Sequence, residues 1–185
     1  MTQYTQQTIL NTFGEMLDRM PFEKITVSAL IRECGISRNT FYYHFEDIYG
    51  MLDAWLIQTF GDYTLPADPG EWRNRIKGFL AACRANKRRV YHLLDALARD
   101  RLERYTFELA DNVFYSYLKK WTEGLNITEK RLRACSEICC YSLLGMFLRF
   151  LWNNMNDDIN EKLDNLGDVL EEMMQKLLTP QLQEA

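Results

Sequence analysis

The chain has 185 residues, 47% of them apolar and 26% charged, with a formal net charge of −4. That composition supports a buried core in one large or two small domains and excludes a disordered, collagen-like or low-complexity protein. Five cysteines (Cys34, Cys83, Cys135, Cys139, Cys140) without a CxxC pair, beside two histidines, fit reduced core thiols better than a disulfide framework or a zinc site.

Met1 to Leu17 is polar and lacks a basic segment followed by an apolar run, so neither a signal nor a transit peptide is expected, and the cytoplasm is the expected location. The spacing then predicts a helix over Thr5 to Arg19, a turn at Pro21 to Ile25, and a helix-turn-helix. Thr26 caps its first helix, Leu30 and Ala29 face inward, and Gly35 supplies the left-handed residue of the turn. Ser37 caps the second helix, whose first turn carries Arg38, Asn39 and Thr40, while Phe41 and Phe45 at i and i+4 point to the core. These residue types suit DNA. Arg38 can donate two bonds to guanine, Asn39 can pair with adenine and Thr40 can touch a thymine methyl, while Tyr42, Tyr43 and His44 can reach phosphates.

The run from Ile25 to Phe45, with its frame Gly35-x-Ser37-x-x-Thr40-x-Tyr42-x-x-Phe45, resembles the TetR/AcrR family of transcriptional regulators. The C-terminal part is similar to the subgroup that includes regulators of dihydroxyacetone kinase operons. The resemblance implies an all-α fold and a homodimer with two DNA-reading heads, whose separation changes when a small-molecule effector enters the larger domain. It implies a repressor that binds double-stranded operator DNA, with Thr26, Ser28, Ser37, Arg38, Asn39, Thr40, Tyr42, Tyr43 and His44 where the family contacts DNA. One position departs from the family. Where a lysine usually starts the next helix stands Ile48, preceded by Glu46 and Asp47, and residues 1–60 carry four basic against seven acidic side chains. Weak counterion release follows, and with it a second reading: a co-regulator that needs a protein partner to occupy DNA.

Gly61 to Gly70 holds two of the four prolines and reads as a linker between a DNA-binding domain (1–60) and a helical effector and dimerisation domain (71–185). Asp68 before Pro69 starts a helix. Helices are expected over Glu71 to Asn86, Lys87 to Ala98, Arg101 to Trp121 and Thr128 to Asn153, with a last one after Asp158. Phe79, Tyr91, Phe107, Phe114 and Trp121 are the candidate effector pocket. Lys87, Arg88 and Arg89 with Arg84 read as a solvated corner, and His92 as a solitary polar side chain. Ile138 to Trp152 is apolar nearly all round, yet is shorter than the roughly 20 residues a membrane span needs. A second copy of the chain is therefore expected to cover it in a four-helix bundle through Leu143, Phe147, Phe150, Leu151, Leu166, Leu170, Met173 and Leu177. No phosphate loop, nucleophile motif or metal-ligand cluster stands out, so neither an enzyme nor a cofactor is expected.

Overall fold

A computed structural model describes residues 2–64, 71–94, 111 and 114–178, and among them all regular structure is helical. The chain forms two compact units. The first contains the chain up to Asp62 and takes it up again from Ala85; the second contains Tyr63–Arg84 and the C-terminal helices. The linker residues from 65 to 70 lie outside the described residues, as do Asp68 and Phe107.

In the first unit α1 (Thr2–Arg19) buries Ile9, Leu10, Phe13, Met16 and Leu17, the three-and-four spacing of an amphipathic helix. Phe22, on a short 3-10 turn (Phe22–Lys24), meets Phe13 edge-on at 5.9 Å, and Trp55 of α4 (Ile48–Thr64) meets it at 5.8 Å. Into this core α2 (Val27–Cys34) sends Leu30 and α3 (Arg38–His44) sends Phe41, each fully buried and each contributing about 1.5–3 kcal/mol.

A segment from beyond the linker completes this unit. On α6 (Lys87–Leu94), Val90 and Leu93 are buried, and Arg89 donates from Nε and Nη2 to the two carboxylate oxygens of Asp18 at 2.8 and 2.6 Å. His92 Nδ1 donates to the Leu17 carbonyl at 2.6 Å. The grouping of 71–185 as one region thus loses α6, whose apolar face is short but strongly one-sided and lies against α1.

The second unit is built from α5 (Trp72–Ala85), α7 (residues 114–121), α8 (Glu129–Trp152) and α9 (Ile159–Leu178). By length and composition α8 could cross a membrane. One side of it, with Leu132, Cys135, Cys139, Cys140 and Leu143, instead packs with Trp72, Phe114, Leu118, Leu163, Leu170 and Met174 as a helical core. Ser136, fully buried on α8, donates to the Asp111 carboxylate at 3.0 Å. Burial pushes the Cys83 and Cys139 thiols up to about 12 and Cys140 to about 11.

Two expectations are corrected here. The basic corner is not simply solvated: besides the Arg89 pair, Arg84 donates to the carbonyls of Met155 and Asp157 at 2.9 and 2.8 Å. Those carbonyls follow the end of α8, at a bend where Asn154 and Met155 take left-handed φ values of 57° and 56°, and they need donors. The set expected between subunits also divides. Leu143, Phe150, Leu151 and Leu170 are buried inside their own unit, Phe147 packs on Phe79 at 5.6 Å, and Leu166, Met173 and Leu177 are half-buried. The apolar side chains that α8 and α9 leave exposed are Ile138, Tyr141, Trp152 and Val169, the last two 72% and 62% accessible. Because α8 is apolar on most sides, its periodicity marked the stripe its own chain covers.

Candidate nucleic-acid interface and effector cavity

The α2–α3 pair is assembled by local bonds that the residue types dictate. The Thr26 side chain accepts the Ala29 N–H at 3.1 Å and caps α2. Gly35 ends α2 at φ 67°, ψ 29°, and the Ile36 N–H reaches the Ile31 carbonyl at 3.1 Å, which closes the helix and redirects the chain. Ser37 then caps α3 by accepting the Thr40 N–H at 3.1 Å, and its hydroxyl lies 2.8 Å from that of Thr40.

Phe41 and Phe45, with ring centroids 5.7 Å apart, are buried and leave the rest of this short helix turned outward. Thr26, Ser28, Ser37, Arg38, Asn39, Tyr42 and Tyr43 are exposed, with Thr40 and His44 half-buried. Tyr43 is 74% accessible, an unusual cost for an aromatic ring unless something covers it. Arg38 Nη2 donates to Ser28 Oγ at 2.8 Å, so a residue of α2 holds the guanidinium of α3.

Sequence reading missed the use of Asp47. Its Oδ1 accepts the N–H groups of Tyr49 and Gly50, both at 2.8 Å, at the start of α4. The acid where a basic residue was expected nearby is therefore a helix cap whose charge suits the positive end of the helix. An aspartate three residues before Gly50 was the available signal.

The second unit contains a cavity of about 250 Å³ lined by Trp72, Phe114, Tyr117, Leu118, Trp121, Cys139, Leu170, Glu171, Met174 and Gln175. Of the predicted pocket residues the structure brings Phe114 and Trp121 there. Phe79 instead packs on Phe147, and Tyr91 lies on α6 in the first unit. Trp72 Nε1 donates to Glu171 Oε1 at 3.0 Å, and Arg73 pairs with Oε2 at 2.8 Å. Burial raises the Tyr117 hydroxyl above its ordinary value, and the neighbouring Glu171 charge adds to the shift. Phe114, Tyr117 and Trp121, at i, i+3 and i+7, were legible as one helix face; Trp72 and Glu171 join them only through the packing of α5 and α9. No group of three or more potential metal ligands occurs among the described residues.

Comparison with known proteins agrees with this anatomy. Residues 9–55 match the model of bacterial regulatory proteins of the tetR family, and residues 70–178 match that of a transcriptional regulator C-terminal region. No curated protein matches the chain in sequence. The dihydroxyacetone kinase operon activator DhaS has a similar structure, with a TM-score of 0.69 at 13% identity over 92% of this chain and 96% of that one. The TetR family repressor AlkX from Dietzia sp. strain DQ12-45-1b gives 0.56 at 19% identity, covering 93% and 98%. NalD of Pseudomonas aeruginosa, the secondary repressor of the MexAB-OprM efflux pump, gives 0.52 at 16%, covering 93% and 97%. With both regions matched and the helix-turn-helix in place, the chain belongs to the tetR family of DNA-binding transcriptional regulators and is not an enzyme.

Proposed function

We propose that the chain is a cytoplasmic, homodimeric repressor that reads operator DNA through α3 and releases it when a small molecule fills the cavity of the second unit. The observation that carries the reading is the exposed first turn of α3, with Arg38 braced by Ser28 above the buried Phe41 and Phe45. Arg38 then faces guanine and Asn39 adenine, with Thr40 near a thymine methyl, and Thr26, Ser37, Tyr42, Tyr43 and His44 meet the phosphates. Exposed Ile138, Tyr141, Trp152 and Val169 support a second copy as the cover of α8 and α9.

The test is operator selection from genomic fragments followed by binding isotherms for Arg38→Ala. Loss of about 1–3 kcal/mol with relaxed preference at one base pair is expected. An equal loss on every sequence would make Arg38 a phosphate contact and end its assigned role. A reporter whose expression falls on deletion of the gene would make the chain an activator, as DhaS is named.

The acidic balance of residues 1–60 favours one second reading, a co-regulator recruited to DNA by a protein partner. Operator binding by the purified chain alone excludes it.

A further inference from the structure

We propose that the cavity of the second unit accepts a small organic cation, an alkyl- or arylalkylammonium, held among Trp72, Phe114, Tyr117 and Trp121 beside the Glu171 carboxylate. The class deepens the effector reading and rests on it for any consequence at the operator.

Among the described residues four aromatic side chains line the space, and the one charged residue of that lining is an acid. Ring faces carry negative potential, and aromatic cages of this make-up recognise ammonium groups. Arg73, behind Glu171, does not reverse the sign. Its Nη1 bonds Asp168 at 2.7 Å and the Asp164 carbonyl at 3.2 Å, and its Nε and Nη2 bond Glu171 at 3.3 and 2.8 Å. It is held there because Gly167 has no side chain: a Cβ would lie 2.8 Å from Arg73 Cζ. With Lys77 paired to Asp164 at 2.7 Å, the α5–α9 seam sets three carboxylates against two cations and stays negative. One ring of the set, Trp72, already has a cation over it, with Arg73 Cζ 5.3 Å from its centroid although Arg73 does not line the cavity.

An anion would meet a carboxylate and negative ring faces in partly desolvated space, so acids and phosphates are excluded. A volume of about 250 Å³ sits just below the roughly 300–1,000 Å³ of drug-sized sites and limits the guest to about one ring with its ammonium head.

The experiment titrates the full-length chain by tryptophan fluorescence with three probes: benzyltrimethylammonium, its uncharged carbon isostere neopentylbenzene, and the anion 3-phenylpropanoate. The cation should bind about 3- to 30-fold more tightly than the isostere, and the anion not at all. Glu171→Gln should weaken the cation about tenfold and leave the isostere unchanged. If that variant does not fold, Trp121→Leu with the same probes serves, with a similar selective loss for the cation. Equal or tighter binding of neopentylbenzene, binding of the anion, or no cation signal at millimolar concentration overturns the proposal. Operator release is measured separately: cation binding without release retains this inference and rejects the effector reading, whereas release by a neutral ligand competing for the cavity does the reverse.

Discussion

Asp18 holds its carboxyl below the ordinary 3.8 because Arg89 hydrogen-bonds to it, an effect that outweighs the opposing cost of burial. A depressed acid contributes stability above its unfolded value and loses it as pH falls through the folded one. Asp18→Asn should therefore lower the melting temperature at pH 7 by a few degrees, for a pair worth about 1 kcal/mol or less after solvent screening. The gap between the two proteins should begin to narrow as pH falls below the ordinary 3.8 and close below the depressed folded value; a gap that persists through that range would mean that Arg89 acts through packing and not charge. The thiols give a second outcome. Desolvation raises all five thiols, so access decides: with Cys83, Cys135, Cys139 and Cys140 buried, alkylation of the native protein at pH 8 should slowly mark half-buried Cys34 and spare the other four. Mass spectrometry of the labelled chain decides it. That the cysteines are core residues was legible from their number and spacing for all but half-buried Cys34, whereas the Asp18–Arg89 pair, 71 positions apart, left no local trace.

Helix ends were the most legible elements. Thr26, Gly35 and Ser37 act where their chemistry said they would, because a cap is settled within four residues of sequence. Gly35→Ala should cost about 1 kcal/mol, read by chemical denaturation. A Cβ there meets nothing within 4 Å, so the penalty is that of the left-handed backbone alone. Gly35→Asn, which tolerates that conformation better, should recover part of the loss. Helix faces were less legible. On α8 a nearly uniform apolar surface gives no sequence rule for separating the stripe its own chain buries from the one it leaves outward, and only the positions of α5, α7 and α9 decide it. If a second copy covers the outward stripe as proposed, Trp152→Glu and Tyr141→Glu should shift sedimentation toward monomer with little change in melting, while Phe150→Ala should destabilise the fold by about 3–5 kcal/mol.

For the whole molecule the balance of charge matters more than any single pair. Residues 1–60, with four basic and seven acidic side chains and with Asp47 committed to a helix cap, have few cations to place against phosphate. In the proposed dimer, two such segments with about two cationic contacts each should give a salt dependence shallower than about −4 in log–log slope. Titration of operator binding between 50 and 200 mM salt measures it, and a steep slope would locate basic contacts outside residues 1–60. The return of the chain at Ala85 has a practical corollary for anyone building hybrid regulators. A fragment cut once at the linker would leave behind the helix that carries Arg89, Val90 and His92, exposing Leu17 to water and stripping Asp18 of its partner. Transplanting this reading head onto a foreign sensor needs two splice points, and a library of single-junction chimeras should yield insoluble products.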